Sequence, residues 1–528
     1  MYPEMPTMNS ITKPATMTLA LLALGACVPR FEDAHTTTAP VTVSPFSEIS
    51  TPFTHIWSEP SHPFTGAAVI DIDGDGAFEI FVGGGQGQAD ALLSYKDGKF
   101  VDIIADTGLS NATEATYGTA SSDMDGDGDV DLVVARNNSL TLYVNTAGKF
   151  EARDVPINLA VDAVPLSVAI SDIDADGHPD LYVSAFVSFP AFKSATFNDP
   201  SHAKLNVMLR NNGDMTFSNI TAKSNTAGLN NTFHTVFADL DQDRDPDMIL
   251  AQNTGEIEIF ENDGSGVFTS VATNSGFGYW MGLAVGDIDH DGDQDIFVSN
   301  IGTSIPDFLT EGDIAENQRH YTKWIMLRND GGMKFSDITA DMNLHGYGFA
   351  WGAQFEDLNL DGEVDILVAQ NYVKWPLHKW GPLNNKALLQ IDAPEGRAFY
   401  QVEDLGLDNP YFGQSPIIVD INVDGKPDVI WLNMNGPMRA FLNTSEGNYL
   451  TVRVPDSPDM LGATVTLTLA GGKAVSRQVI ASTGLLTDPT PDLHFGLGSA
   501  TVDRAELVMT NGQRKTIDKP AINSVVGF

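Results

Sequence analysis

Acidic residues at alternate positions recur seven times along the chain, each time just before a short apolar run. The fifth group has Asp287, Asp289 and Asp291 at positions 1, 3 and 5, Gly292 at position 6 and Asp295 at position 9. Ca²⁺ takes about six to eight oxygen ligands from carboxylates, carbonyls and water. Alternate residues of a tight loop converge on one centre, and glycine permits the sharp bend. The spacing therefore predicts up to seven calcium loops.

The predicted ligands share this spacing in every loop. In loops 1 to 4 they are Asp71, Asp73, Asp75 and Glu79; Asp123, Asp125, Asp127 and Asp131; Asp172, Asp174, Asp176 and Asp180; and Asp239, Asp241, Asp243 and Asp247. In loops 5 to 7 they are Asp287, Asp289, Asp291 and Asp295; Asp357, Asn359, Asp361 and Asp365; and Asp420, Asn422, Asp424 and Asp428.

The fourth loop departs from the pattern, because Arg244 stands at position 6 in place of glycine. A left-handed backbone costs a residue with a side chain about 1 kcal/mol or more. The guanidinium also brings a positive charge close to the metal. We therefore expect the fourth site to be the weakest.

An EF-hand, another common calcium loop, does not fit these repeats. It requires an acid at the twelfth position and flanking helices, whereas here the twelfth positions are Val, Leu or Trp. These positions lie in short β-branched runs that indicate buried strands. Each unit divides into four strands, and successive loops begin 48 to 70 residues apart. This spacing predicts an all-β fold with a seven-bladed β-propeller over residues 45–443.

The amino-terminal segment is expected to close the propeller. The seventh unit ends at about Asn443 without a fourth strand. Residues 46–50 read FSEIS and are similar to the fourth-strand segments 217–221 and 335–339. We therefore predict that residues 46–50 form the outer strand of the last blade, which removes open sheet edges.

The repeats resemble the FG-GAP/VCBS repeats of integrin-type β-propellers, in which such loops bind Ca²⁺ between the first two strands of a blade. Residues 281–300, together with Trp351-Gly352, look like the cartilage acidic protein family in particular. Residues 444–528 resemble the ASPIC/UnbV module that follows propellers of that family. Alternation over residues 464–469 predicts a small β-sandwich-like domain there. The segment 509–512 departs from the family's Trp-Pro-x-Gly pattern, and His494 is interpreted as structural.

The amino terminus has the features of a bacterial lipoprotein signal. The apolar stretch 17–26 is too short to span a bilayer and precedes Cys27, the only cysteine. The segment before Cys27 resembles a lipobox. We predict a signal peptide over 1–26, lipidation of Cys27, a flexible tether over 27–44, and extracytoplasmic anchoring in the bacterial envelope, at the outer membrane or cell surface. An ordinary secretory signal with an incidental cysteine is the alternative.

The charge balance excludes one class of partner. The formal net charge is −41, from 29 basic and 70 acidic residues, and the loops contain many of the acids. No basic patch is present that could neutralise phosphates, so nucleic-acid binding is disfavoured. Contact with a membrane is expected only through the lipid anchor.

Three insertions between the second and third strands, residues 187–205, 302–323 and 372–386, are expected on the face opposite the calcium loops. They are rich in aromatic residues, and aromatic residues also occur where several first strands begin. Candidate ligand-face residues are Trp280, Tyr321, Trp351, Trp375, His378 and Trp380. They indicate a surface for a carbohydrate or a protein, because recognition sits on loops of a rigid scaffold. The alternative is that these side chains pack the loops and blade interfaces.

The leading functional hypothesis is a non-enzymatic, surface-anchored binding or adhesion protein stabilised by calcium. A calcium-dependent enzyme acting on polysaccharide, of the lyase type, is the alternative, with Lys374, His378 and Lys379 as its candidate groups. The sequence has no nucleophile elbow, HExxH motif or His/Cys metal cluster. A passive scaffold in an envelope complex is a third hypothesis that the sequence does not separate from the first.

Overall fold

The computed structural model describes residues 45–109, 113–303, 305–371, 383–393, 396–402 and 404–528. The signal peptide, Cys27, the tether, Trp375, His378 and Trp380 lie outside these residues. Within them the regular structure consists of strands and four short 3-10 helices, Ile104–Asp106, Phe189–Ala191, Asp307–Leu309 and Pro458–Met460. No helix in the described ranges has the length and hydropathy needed to cross a membrane.

Residues 46–443 of the described chain form seven sheets, each with four strands that pair antiparallel. These sheets are numbered 1 to 7, with strands A to D in spatial order. Sheet 1 has Ala67–Ile70, Glu79–Val82, Ala91–Lys96 and Lys99–Asp102; sheet 2 has Thr116–Ser122, Asp131–Arg136, Leu140–Thr146 and Lys149–Asp154. Sheet 3 has Ala163–Ser171, Asp180–Val187, Val207–Asn211 and Phe217–Asn219; sheet 4 has Thr232–Ala238, Asp247–Gly255, Glu258–Asn262 and Phe268–Val271.

The remaining sheets follow the same order. Sheet 5 has Leu283–Gly286, Asp295–Val298, Ile325–Asn329 and Phe335–Asp337; sheet 6 has Ala350–Glu356, Asp365–Gln370, Lys386–Ala393 and Gly396–Gln401. Sheet 7 has Gly413–Val419, Asp428–Asn433, Arg439–Asn443 and Phe46–Ile49. Short additional strands are Lys204–Leu205, Leu229–Asn230, Gly278–Tyr279 and Thr487–Asp488.

Each sheet contributes to two apolar cores because successive side chains of a strand point to opposite faces. In strand B of sheet 5, Ile296 and Val298 enter the core shared with sheet 4. Phe297, between them, enters the core shared with sheet 6. Cores of this kind join all consecutive sheets, and a further one joins sheet 7 to sheet 1. The continuous apolar runs of strands B reflect burial on both faces.

The amino-terminal strand completes sheet 7, at the position that the similarity of residues 46–50 to other fourth strands indicates. Phe46–Ile49 pairs antiparallel with strand C, with Phe46 opposite Asn443. Phe46 is buried in the core between sheets 6 and 7. Glu48 accepts two hydrogen bonds from the guanidinium of Arg439, each 2.7 Å long. The first and last parts of the described repeat region therefore share one sheet.

The carboxyl-terminal module consists of two sheets around one core. The three-stranded sheet has the order Leu493–Gly498, Asn448–Arg453 and Val525–Gly527, and the four-stranded sheet has the order Ala474–Gln478, Thr464–Leu469, Val502–Val508 and Arg514–Asp518. Leu450 and Phe495 from the first sheet and Val465 and Leu507 from the second are all buried in that core. The alternation over 464–469 thus corresponds to a strand with one buried face.

Residues 482–488 of this module, called the plug segment below, leave the module and enter the space between strands A. Thr487–Asp488 pairs in parallel with Ala67–Ala68 of sheet 1. Gly484 and Leu283 of sheet 5 exchange two backbone hydrogen bonds of 2.9 and 3.0 Å. Hydrogen bonds also join the segment to Ser121 in sheet 2, Val168 in sheet 3, His234 in sheet 4 and Ser415 in sheet 7.

The plug segment also fills the central apolar core. Leu485 and Leu486 are almost completely buried there with Phe64, Phe233 and Trp351. The segment therefore contacts strands that lie more than 60 residues away in sequence, and region 444–528 is integrated into the preceding sheets.

A test of this packing is Gly484→Val. Gly484 has φ +94°, and an added Cβ would lie 2.5 Å from Thr487 Oγ1 and 2.7 Å from Ser415 Oγ. We expect a loss of about 2 kcal/mol or more in the free energy of unfolding through overpacking, beyond the backbone strain. Gly471→Val is the matched control, because Gly471 has φ +103° with no atom within 4 Å of its Cβ position. Equal effects in thermal unfolding would contradict the role of the plug segment.

Candidate metal centres

The first aspartate of each loop is held by backbone N–H groups of the same loop. In loop 5 the N–H groups of Asp291 and Gly292 donate to the two oxygens of Asp287, both at 3.1 Å. The same pair of hydrogen bonds occurs in loops 1, 2, 3, 6 and 7. In loop 4 the N–H of Arg244 donates to Asp239 Oδ2 at 3.0 Å, whereas Asp239 Oδ1 is buried without a hydrogen-bond partner.

The residue at position 9 links three segments of each sheet. In loop 5, Asp295 accepts the N–H of Ile288 at 3.1 Å and that of Asn329, at the end of strand C, at 2.9 Å. Equivalent pairs occur in loops 2, 3, 4, 6 and 7. In loop 1, Glu79 accepts the N–H of Ile72 at 3.4 Å. These carboxylates are therefore structural acceptors as well as candidate ligands.

An amide side chain on strand C joins each of loops 2 to 7 to the loop before it. Asn329 Nδ2 donates to the carbonyl of Leu240 in loop 4 at 2.7 Å and to that of Gln294 in its own loop at 3.4 Å. The staple residues, which all reach the preceding loop, are Asn145, Asn211, Asn262, Asn329, Gln390 and Asn443. The recurrence of Asn at the end of strand C is a sequence signal that could have identified them.

Two positions of every loop have a left-handed backbone. Position 6 has φ between +84° and +95° where it is glycine, and Arg244 adopts φ +79° there. Position 4 is also left-handed, including φ +61° at Leu360 and φ +57° at Val423. Residues with side chains cost about 1–2 kcal/mol in this region. The loop conformation is thus maintained by the hydrogen bonds at positions 1 and 9.

The carboxylates converge as a hard cation requires. In loops 1, 2, 4 and 5, acid oxygens from positions 1, 3 and 5 lie within 4.8 Å of one another, and in loop 3 the group is Asp172, Asp174 and Asp180. In loops 6 and 7 the amides of Asn359 and Asn422 donate to the carboxylates of Asp361 and Asp424. Clustered carboxylates and amide oxygens are the donors that Ca²⁺ prefers. The residues present therefore fit this ion.

Burial raises the pKa of the inner acids. Desolvation raises the pKa of Asp131 and Asp295 to about 7 and that of Asp180 and Asp247 to about 8. Neighbouring loop carboxylates raise these pKa values further, whereas the backbone N–H donors lower them. A cation at the centre of a loop would relieve the repulsion among these groups.

The carboxyl-terminal module lies against the acidic loops. Ser476 Oγ donates to Asp287 Oδ2 at 3.0 Å, and Arg453 Nη1 donates to the carbonyl of Gly76 in loop 1 at 2.9 Å. Hydrogen bonds of the described module also reach Asp123 in loop 2, Asp239 in loop 4, Leu360 in loop 6 and Gly425 in loop 7. Module residues thus surround the candidate centres, and the sequence pattern contained no signal for these contacts.

Two of the candidate ligand-face residues are core side chains. Trp280 is 0% exposed and Trp351 is 5% exposed, and their Nε1 groups donate to the carbonyls of Gly276 and Asn371. Both residues therefore agree with the alternative, in which aromatic side chains at the start of strand A pack in the interior. Tyr321 is half-buried, stacks on Trp280 with ring centroids 5.6 Å apart, and lies under the Arg319 guanidinium. His494 is buried in a strand and contacts Thr451 Oγ1 at 3.1 Å.

Comparisons with known proteins agree with the repeat pattern. Residues 123–183 and 239–298 match the family described as FG-GAP-like repeat, and residues 454–528 match ASPIC and UnbV. Cartilage acidic protein 1 of Xenopus tropicalis is 22% identical over 520 residues, with 89% of this chain and 74% of that protein covered. For Homo sapiens the identity is 22% over 510 residues, covering 89% and 72%. The chain is thus distantly related to cartilage acidic protein 1.

Solved structures with lower similarity are also found. BBS1N in complex with ARL6DN matches with a TM-score of 0.42 and 11% identity, covering 76% of this chain and 97% of that chain. YCF48 from Cyanidioschyzon merolae matches with a TM-score of 0.40 and 11% identity, covering 75% and 98%.

The raised pKa values predict how stability depends on pH without metal. A group whose pKa is higher in the folded state stabilises the fold below its unfolded pKa of about 4 and loses that effect as pH rises through the folded value. In EDTA, the free energy of unfolding should therefore fall between about pH 5 and pH 8, as Asp131, Asp295, Asp180 and Asp247 ionise. Urea unfolding at several pH values measures this, and a rise over the interval would contradict the prediction.

Proposed function

We propose that this chain, which carries FG-GAP-like repeats and an ASPIC and UnbV segment, is a calcium-stabilised, extracytoplasmic binding or adhesion protein built on a seven-bladed β-propeller. The seven sheets with shared cores support the propeller, because sheet 7 packs against sheet 1 as well as sheet 6. The lipobox-like segment before Cys27 supports an envelope anchor. Residues 45–443 form the propeller in this proposal, and residues 444–528 form the module.

The observation that carries the proposal is the repeated convergence of carboxylates in loops whose backbone conformation is maintained by hydrogen bonds. Positions 1 and 9 accept N–H donors, which fix these carboxylates within the loop. The second oxygen of Asp239 is buried and unpartnered, as expected for a group that a cation completes. Binding of Ca²⁺ to the folded loops only would stabilise the fold by mass action.

A location outside the cytoplasm follows from this chemistry. Calcium sites of the extracellular type bind with dissociation constants of about 10⁻⁴–10⁻³ M and require abundant free Ca²⁺. The apolar stretch before Cys27 agrees with export. The many acids of the loops would then be neutralised in the mature protein.

The ligand surface is proposed on the connections opposite the loops. Strands A and B are joined by the acidic loops, so the connections between B and C, and between D and A, lie at the other ends of the strands. The module covers the loop side. Exposed apolar side chains on the opposite connections include Phe308 at 68%, Ile56 at 58% and Tyr411 at 41%. Exposed apolar groups of this kind are typical of binding surfaces for a carbohydrate or a protein.

Two of the insertions form one supported structure on that side. Asp313 accepts the N–H groups of Phe197 and Asn198, the latter at 3.0 Å. The side-chain amides of Asn198 and Gln318 exchange two hydrogen bonds of 2.9 Å. The lyase alternative depends on Lys374, His378 and Lys379, which lie outside the described residues.

The calcium part of the proposal is tested by removing metal from the purified chain with EDTA and titrating Ca²⁺ back. We expect several bound ions per chain and a rise in melting temperature, since ligand at about 100 times its dissociation constant stabilises by about 2.7 kcal/mol per site. Asp287→Asn should remove one ion, whereas Asp341→Asn, an exposed acid outside the loops, should remove none. Unchanged stability with fewer than two bound ions would refute the structural role of calcium.

The binding part is tested on a panel of immobilised polysaccharides and envelope proteins. Phe308→Ala and Tyr411→Ala should each weaken capture of the ligand about tenfold or more if these side chains are central contacts. Val101→Ala, an exposed apolar residue on an outer strand, is the control and should leave capture unchanged. Capture that survives both substitutions would place the ligand on another surface.

A further inference from the structure

The residue just before the staple residue is charged in sheets 3, 4 and 5, where it is Arg210, Glu261 and Arg328. In sheets 2, 6 and 7 it is Val or Leu. Because the N–H of the staple residue donates to position 9, the preceding side chain is brought close to the ligands at positions 3 and 5. The charge at this one strand position therefore differs from loop to loop.

Arg210 occupies the ligands of loop 3. Its Nε donates to Asp174 Oδ2 at 2.6 Å, and its Nη2 donates to Asp176 Oδ2 at 2.5 Å. Asp174 Oδ1 remains buried without a partner. The mutually close acids of loop 3 are Asp172, Asp174 and Asp180, whereas the other loops with three acids bring together positions 1, 3 and 5. The guanidinium thus holds one oxygen of position 3 and one oxygen of position 5.

Arg328 has the same position in sheet 5 and a different partner. Its Nε and Nη2 donate to Asp330 at 2.8 and 2.7 Å. Asn212 stands where sheet 5 has Asp330, and its side chain pairs with Thr216 and Ser218 instead. An acid two residues after the arginine therefore diverts it from loop 5, and loop 3 has no such acid.

Sheet 4 has Glu261 at the position that is arginine in sheets 3 and 5. Glu261 adds a carboxylate near Asp241 and raises the pKa of that group further, after burial and Asp243. The guanidinium of Arg244 extends to Gly512 of the module, where an added Cβ would collide with its Nη1. The positive charge that the sequence places at position 6 is thus directed towards the module, and Asp245 is the loop acid that it affects.

We propose that loop 3, and not loop 4, is the weakest calcium site of the chain, because Arg210 neutralises and holds two of its ligands. This inference rests on the proposed calcium binding. A unit charge a few ångströms from the ion, in partly exposed surroundings, lowers the affinity of loop 3 for Ca²⁺ by roughly tenfold or more. Loop 3 then depends less on calcium than the other loops, because its acids already have a cation.

The experiment compares the full chain with Arg210→Gln and with the matched control Arg328→Gln. Bound Ca²⁺ is counted by equilibrium dialysis over a calcium titration, and folding is checked by circular dichroism. We expect Arg210→Gln to gain one ion, or to fill its last site at roughly tenfold lower calcium. Arg328→Gln should change little. Adding Asp172→Asn to Arg210→Gln should remove the gained ion and so assign it to loop 3.

The possible results separate the two proposals. Both proposals are supported if the unsubstituted chain binds calcium at its other loops and only Arg210→Gln strengthens the last site. Equal titrations for the normal chain and Arg210→Gln, with several ions bound in each, overturn the role of Arg210 and leave the calcium proposal intact. If the ion gained in Arg210→Gln is lost on adding Asp239→Asn but not on adding Asp172→Asn, the weak site is in loop 4. This result also overturns the role of Arg210. Absence of bound calcium in every variant overturns the calcium proposal itself.

Discussion

Repulsion between clustered carboxylates is the constraint on which this structure depends. In loops 1 to 5 three acids lie within 4.8 Å of one another, and burial raises the pKa of the innermost acids. Backbone N–H donors hold positions 1 and 9 but supply only partial positive charge. Full compensation requires a proton, a metal ion or a basic side chain. Different loops can use different solutions, as Arg210 illustrates in sheet 3.

Hydrogen bonds join the loops to their neighbours. Each staple residue donates from the end of strand C to a carbonyl of the preceding loop, so that the geometry of one loop positions the next. The carboxyl-terminal module adds hydrogen bonds to six loops, and its plug segment bonds to strands A of six sheets. These hydrogen bonds connect the loops to their own sheets, to the adjacent sheets and to the module.

The two ends of the strands differ in what covers them. The side of the sheets that carries the acids is covered by the module, whose contacts there involve backbone carbonyls as much as carboxylates. The connections at the opposite ends of the strands carry exposed Phe308 and Tyr411 and two insertions that support each other through Asp313. The proposed binding surface and the proposed calcium loops therefore lie at opposite ends of the strands.

The sequence by itself determined the strands, the seven acidic loops and the place of residues 46–50, because these depend on local spacing, period-two burial and similarity between repeats. It also indicated the left-handed backbone of Arg244. Only the tertiary structure decided where side chains with remote partners point. Arg210 meets Asp174 and Asp176 across 36 and 34 residues, and Asp488 meets Ser121 across 367 residues. Such pairs depend on which groups the folded chain brings together, which no local pattern encodes.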